Sequence, residues 1–344
     1  MTGVQTCALP IYLGYPAQPD VVVEGEVEQG AVEIEQHGID GAPVRTRRSG
    51  EIHASIIAGM SPAPVADLHL HSLHSDGVLA PAALMQLAAA RGVQRAALTD
   101  HDTLEGCVEA ASAALAAGLQ FTAGVEVTAG WNGQTVHVIG LQPHLENSAL
   151  HAHLAAIREQ RRQRLRDIGE RLEHRTRGAR KPVPGRSLAS LACAASPVPT
   201  RLHLARALVE AGFSADIGAA FDEWLGHGKP GHLTEHWPTL EATLEVLRGA
   251  GAEIVLAHPH RYRLSSGALR RLLEEFAAQG GSALEIGVAG ISPNDLDRLA
   301  TLARRYKLAA STGSDFHDPA VPWNPPGRFA KLPADLETVA ARLR

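Results

Sequence analysis

Residues 65–77 read VADLHLHSLHSDG, apolar and polar residues in alternation until the run breaks on Ser, Asp and Gly. A period of two predicts a strand over 65–71 and a polar turn over 72–77. Residues two apart in a strand face the same way, so His69 and His71 are delivered to one side. Pro81 opens a predicted helix that runs to Arg91, in a first-turn position where its missing N–H costs nothing. The next strand ends in ALTDHDT (97–103), and a helix over 104–117 follows. Then come the strand FTAGVEVTA (121–129), the turn WNGQ (131–134) and the strand TVHVIGL (135–141). Gly92 and Gly118 stand just past helix ends, where a left-handed residue is wanted. Repeated strand–helix units predict an α/β domain.

Residues 146–235 lack such strands and read as helices, with a Pro/Gly/Ser-rich break from Lys181 to Thr200. The alternation resumes with a helix over 239–250, the strand AEIVLAHP (252–259) and a helix over 266–279. ALEIGV (283–288), a helix over 293–306 and LAASTGSDFH (308–317) complete it. The expected α/β domain is therefore discontinuous, 64–145 and 236–335, interrupted by a helical insertion over 146–235. Residues 1–63 have no sustained period and are expected to be an extension, to which no function is attached. Val21 to Glu35, where Val and Ile alternate with Glu, predicts a strand or two. The positive start and apolar stretch of a secretory signal are absent.

The chain has 344 residues, 45% hydrophobic and 20% charged, enough apolar material to exclude wholesale disorder. No run approaches the ~18 consecutive apolar residues of a membrane-spanning helix. Cys7, Cys107 and Cys193 form no CxxC pair, so neither a disulfide framework nor a thiolate zinc site is expected, and a reducing, cytoplasmic setting fits. The net charge of −5 is too mild to draw nucleic acid to the whole surface. Histidine is the unusual count: 18, against 14 Phe, Trp and Tyr together.

Many of these histidines cluster with carboxylates at the C-terminal ends of the predicted strands. His69 and His71 lie in DLHLH, Asp76 in the following turn, Asp100 and His101 in TDHDT, and Glu126 in GVEV. His137 lies in TVHVIG, His258 in LAHP, and Asp315 and His317 in SDFH. In α/β barrels the loops after the strands converge on one face, so groups far apart in sequence can share a pocket. Imidazole suits Zn, Fe and Mn, whereas carboxylates favour harder ions and bridge two of them. A Cys-free set therefore points to a hydrolytic centre, in which bound ions activate water and clamp the oxygens of a transferring phosphoryl group. A lone HxH is more often structural; the ordered set is not readily accidental. His74 reads as a supporting or exposed residue. His144, His151, His153, His227, His232 and His236 have no ligand spacing and default to solvent or local hydrogen bonds. Asp100 and Asp102 flank His101 and read as hydrogen-bonding groups that orient the site.

The run DLHLHSLHSDG, TDHDT, AGVEV, HVIGL, AHPHRY and GSDFH resembles the PHP (polymerase and histidinol phosphatase) metallophosphoesterases. It is most similar to their nucleoside 3′,5′-bisphosphate phosphatase branch, whose enterobacterial members are also described as 5′-to-3′ exoribonucleases on short RNA. The resemblance spans about Ala66 to Leu332. It implies a distorted seven-stranded (β/α) barrel with an inserted helical subdomain. It also implies two to three divalent ions, manganese before iron or zinc, held by His69, His71, Asp76, His101, Glu126, His137, His258, Asp315 and His317. Catalysis falls to His101 with Asp100; whether Asp100 or a metal-held water protonates the leaving oxygen is left open. The region Arg175–Pro199 departs from the family in being longer and less regular.

Between Arg158 and Lys181 stand ten basic residues against four acidic ones. A solvated helix face is the bland explanation. Arg158 and Arg162 are four apart and Arg161 and Arg164 three apart, however, so their forked donors can share a face. In the family the EQRRQR stretch and the Thr200–Ala205 segment TRLHLA meet the nucleotide. The resemblance thereby implies substrate contacts at Arg161, Arg162, Arg164 and His203. The expected activity is release of the 3′-phosphate from a nucleoside bisphosphate, with short 5′-phosphorylated RNA as a second substrate. No membrane, long duplex or obligate protein partner is implied. The rivals are a histidinol phosphate phosphatase or DNA nuclease of the same family, and a non-catalytic metal-binding module.

Overall fold

Residues 65–234 and 236–344 are described in the computed structural model, so the strands expected over Val21 to Glu35 lie outside the described residues. The elements run β1 (Ala66–Asp67), α1 (Pro81–Ala90), β2 (Arg95–Leu98), α2 (Cys107–Ala116), β3 (Gln120–Trp131) and β4 (Gln134–Leu141). Next come α3 (Ser148–Thr176), α4 (Gly185–Ala194), α5 (Arg201–Glu210), and α6 (Ile217–Ala220), which opens into a wide turn over Phe221–Leu225. Then follow α7 (Leu240–Gly249), β5 (Glu253–Leu256), α8 (Ser266–Ala278), β6 (Ala283–Val288), α9 (Pro293–Tyr306), β7 (Ala309–Gly313) and α10 (Val339–Arg342).

The seven strands lie side by side in chain order. All neighbours are parallel except β4, which is antiparallel to both β3 and β5. The sheet closes on itself: Leu68 N–H donates to Thr312 O at 3.0 Å, and Leu70 bridges Phe316. The result is a nearly closed, seven-stranded mixed α/β barrel, as the family resemblance implies. β4 runs backwards because it joins β3 through the two-residue turn Asn132–Gly133, both at positive φ (45° and 73°). Asn-Gly is the favoured pair for such a turn, since its twist matches that of the flanking strands.

Ala66, Ala97, Ile139, Val255, Ala283 and Ala309, from six different strands, form one buried cluster with Leu68, which follows β1. A cluster shared around the ring is the barrel interior, and the small size of its residues suits a narrow bore. α1 and α2 cover one outer face through Leu84, Met85, Ala88, Ala110 and Ala114. The longest helix, α3, serves two cores. Its buried stripe is Leu150, Leu154, Ile157, Arg161, Leu165, Ile168 and Leu172, spaced three and four apart. Leu150 to Ile157 pack on the barrel side, whereas Leu165 to Leu172 pack with Leu188, Leu204 and Leu208 of α4 and α5. The stretch Lys181–Thr200 is not only a break: it contains α4, whose Leu188, Ala189 and Ala192 are buried. Pro182, Pro184 and Gly185 punctuate its start and hide a ten-residue helix in the composition.

Candidate metal centre

The barrel rim is built from the alternation of the opening motif. His69 and His71, two apart in that motif, are both fully buried at the mouth of the barrel. Asp76 follows in a tight turn that only glycine can close. A Cβ on Gly77 would meet His71 O and collide. His101 bridges Glu126 across β2 and β3, and His258 and Asp315 sit just beyond β5 and β7 at φ 29° and 52°. Such left-handed backbone in non-glycine residues is strained and concentrates at functional sites.

All nine carboxylates and imidazoles expected at the centre converge. They assort into four groups whose ligand atoms lie within 4.8 Å of one another: His71/Asp76/His101/His317, His69/Glu126/His258, His69/His71/Asp315 and His101/Glu126/His137. Two depart from the expected position at C-terminal strand ends. Glu126 lies mid-strand in β3, and His137 lies in the first half of β4, because the hairpin carries β3 past the rim and returns β4 antiparallel. Glu126 is the hub. Its Oε1 is 2.9 Å from His258 Nε2 and 3.0 Å from His137 Nδ1, and its Oε2 is 2.8 Å from His101 Nδ1. Asp315 Oδ1 is 3.2 Å from His71 Nε2 and 3.4 Å from His69 Nε2, and Asp76 Oδ1 is 3.2 Å from His317 Nε2.

These contacts fit metal ligands better than ordinary hydrogen bonds. Glu126 Oε2, His101 Nδ1, Asp76 Oδ1 and His258 Nδ1 are buried without a hydrogen bond of acceptable geometry, although Glu126 Oε2 and His101 Nδ1 are close. His69 Nε2 and His71 Nε2 point at each other across 3.0 Å. Buried polar atoms without partners are costly, and divalent cations satisfy such a donor set of imidazole nitrogens and carboxylate oxygens. Burial would raise the Glu126 carboxyl, but His101, His137 and His69 hold it well below the usual range. Burial, with the charge of His317, pushes His71 down to about 3, keeping its ring neutral and able to ligate.

Asp100, expected beside His101 in catalysis, is held by the serines of the first turn, and burial raises its carboxyl above the usual range. It is buried at 1% exposure, accepting from Ser72 N–H (2.7 Å), Ser72 Oγ (2.5 Å) and Ser75 Oγ (2.6 Å). Its geometry braces the turn that carries Asp76. Asp102, at φ 49°, accepts from Thr128 N–H and, at 2.6 Å, from Arg161 Nε.

A cleft of about 170 Å³ opens on the centre. Asp76, His101 and His137 line its barrel side, Arg161, Arg164 and Arg201 its helical side, with Phe221 and Trp237 between. Arg161 is 7% exposed, lies on the buried stripe of α3, and also donates to Thr128 Oγ1 at 2.6 Å. Burial, with Arg201 and Arg161 as neighbours, lowers the Arg164 guanidinium to about 8, and Arg201 is lowered by burial and by Arg161. Arg162 is not brought into the cleft: one position on, it faces outward to Pro197 O (2.8 Å) and Glu159 (3.7 Å). His203 is buried in the first turn of α5, where its Nδ1 accepts the Thr200 N–H at 3.0 Å. Burial, chiefly, lowers it to about 4, so its ring is neutral and Nε2 carries the proton. Among the histidines without ligand spacing, His151 bonds Leu145 O and His153 bonds Thr243 Oγ1.

The sequence reading missed Glu285 and Arg261. Glu285 is the one ionisable side chain in β6. Arg261 contacts Asp315 Oδ2, following His258 closely enough in AHPHRY to have been considered.

Residues 67–254 match the PHP domain. The chain belongs to that family. It is 39% identical over 279 residues to the 5′-3′ exoribonuclease Rnm of Salmonella typhimurium, covering 80% of this chain and 93% of the relative. It is 39% identical over 267 residues to the 3′,5′-nucleoside bisphosphate phosphatase of Chromobacterium violaceum, covering 78% and 92%. Among solved structures, an amidohydrolase from Chromobacterium violaceum with bound sulfate superposes with a TM-score of 0.73 at 36% identity, covering 80% of this chain and 95% of that one. A metal-dependent phosphoesterase from Bifidobacterium adolescentis gives 0.67 at 28% identity, covering 82% and 95%. The PHP chain described here is thus a metal-dependent phosphoesterase by family and by centre. No helix among its described residues is long and apolar enough to cross a membrane.

Proposed function

We propose that the protein releases the 3′-phosphate of nucleoside 3′,5′-bisphosphates, giving a nucleoside 5′-monophosphate and phosphate, and also shortens 5′-phosphorylated oligoribonucleotides. The observation that carries this reading is the cleft itself: three guanidiniums, Arg161, Arg164 and Arg201, crowd the wall opposite Asp76, His101 and His137. Clustered, partly desolvated cations suit a ligand with a second anionic group, and the metal ligands suit the first. Two of the relatives are named as a 3′,5′-nucleoside bisphosphate phosphatase and a 5′-3′ exoribonuclease.

His69, His71, Asp76, His101, Glu126, His137, His258, Asp315 and His317 would hold two to three divalent ions, manganese before iron or zinc. Bound there, the ions supply Lewis acidity, activating water and offsetting charge on the reacting phosphoryl group. Arg161 is fixed by Asp102 and Thr128, which presents its remaining donors to the non-reacting phosphate without further ordering. Arg164 and Arg201 complete the clamp, and His203, buried in the first turn of α5 next to Arg201 and Leu202 of the cleft wall, would add its Nε2–H. The helical segment 146–235 thereby forms part of the substrate site. Trp237 and Phe221 give the nucleoside an apolar wall.

Metal analysis of protein incubated with Mn²⁺ and dialysed is expected to find two to three ions per chain; one or fewer contradicts the centre. The substrate assignment is tested by comparing kcat/KM of the Mn²⁺-loaded protein on adenosine 3′,5′-bisphosphate, histidinol phosphate and a short 5′-phosphorylated RNA. Preference for histidinol phosphate would overturn it.

A further inference from the structure

All six residues of β6 are buried, and Glu285 is the only ionisable one among them. A carboxylate in such a strand is strongly destabilising unless both oxygens find donors. They do. Oε1 lies 2.9 Å from His69 Nδ1, and Oε2 accepts the backbone N–H of His258 at 2.6 Å. Both histidines turn their Nε2 atoms toward Glu126, at 3.4 Å and 2.9 Å, and their rings stack 5.6 Å apart at an interplanar angle of 22°.

Two backbone features serve this arrangement. The β6–β7 register slips between Glu285, opposite Ser311, and Gly287, opposite Thr312, so Ile286 is the extra residue of a bulge. Bulges re-aim side chains beside active sites. Gly313 provides the space: a Cβ there would collide with Glu285 Oε1 and with the His69 side chain.

We propose that Glu285 is the positioning residue of the His69–Glu126–His258 ligand group. Accepting the His69 Nδ1–H leaves the Nε2 lone pair facing Glu126, and accepting the His258 N–H pins that residue in its left-handed conformation (φ 29°). One carboxylate thus sets the ring of one ligand and the backbone of another. Glu285 acts through these ligands. The inference rests on the metal-dependent reading of the centre.

The test is Mn²⁺ binding to metal-stripped full-length protein, measured in competition with a chelating dye, for wild type and Glu285→Gln. Gln keeps the shape but offers one acceptor and one donor, so one of the two N–H partners meets an NH₂ group. At least one ion per chain is expected to bind about 10- to 100-fold more weakly, with the metal-free circular dichroism spectrum unchanged. Gly313→Ala, which keeps the carboxylate but forces it from His69, is expected to show the same loss. Should Glu285→Gln fail to fold, Glu285→Asp, which keeps the charge and cannot span both donors, is read in its place. Variants that bind the wild-type number of ions at wild-type affinity overturn the assignment, even if their metal-free melting temperature falls, because that is what a purely structural role does. A wild type that binds no more than one ion overturns the proposed function as well, which separates the two failures.

Discussion

Asp315→Asn is expected to lower phosphoester turnover at least a hundredfold, equivalent to about 2.7 kcal/mol of barrier, while leaving the fold in place. Asp315 Oδ1 faces both His69 Nε2 and His71 Nε2, so the substitution removes a charge at the point where two imidazoles meet. A neutral amide cannot replace the carboxylate's charge toward a bound cation, and activation of water depends on that cation being held. The backbone explains why the fold should survive. Asp315 occupies φ 52°, a conformation Asn adopts more readily than most residues, and its N–H and C=O keep their partners on His69 O and Asn324 Nδ2. Asp315→Ala would add backbone strain to the loss of charge and confound the two. Steady-state kcat, bound Mn²⁺ and thermal melting on the same preparation check the expectation. Retention of more than about a tenth of wild-type turnover, a barrier change under about 1.4 kcal/mol, removes Asp315 from the essential set.

The centre was legible because strand periodicity and ligand chemistry coincide in short words. HxH, DxH and GSDFH place imidazole and carboxylate at a spacing of two, and that spacing alone turns them to one side. The Asn-Gly hairpin was legible for the same local reason. What was hidden depends on pairings across the chain. Glu285 serves His69 from 216 positions away, and nothing near it in ALEIGV marks a ligand; its signal was a single ionisable residue in an otherwise apolar, wholly buried strand. Arg161 and Arg162 look alike in a basic run, but only Arg161 is in phase with Leu154, Ile157, Leu165 and Ile168. The helical period separated them, and pairing the arginines by charge and spacing alone did not. Asp100 is adjacent to His101 yet points the other way, into Ser72 and Ser75, as neighbouring residues at the end of a strand must.

Arg201→Ala is expected to lower kcat/KM for adenosine 3′,5′-bisphosphate about ten- to a hundredfold, some 1.4 to 2.7 kcal/mol, the size of a charge-assisted contact. Arg162→Ala should change it by no more than about twofold. Arg201 lines the cleft beside Arg161 and Arg164, whereas Arg162 faces Pro197 and Glu159 on the outside. Both sit in the basic, helical part of the chain, so the pair compares position rather than charge. Arg161 itself is a poor probe, because its removal leaves the buried Asp102 carboxylate with Thr128 but without its cation and would unsettle His101 beside it. A small aryl phosphate, which has no second anionic group, should be hydrolysed by Arg201→Ala at close to the wild-type rate. Each variant is therefore measured on both substrates, and the ratio cancels any general damage to the metal ligands. Equal losses on the bisphosphate and the aryl phosphate would remove Arg201 from the clamp; a loss for Arg162→Ala as large as that for Arg201→Ala would mean that the charge of the helical segment steers substrate from a distance instead of gripping it in the cleft.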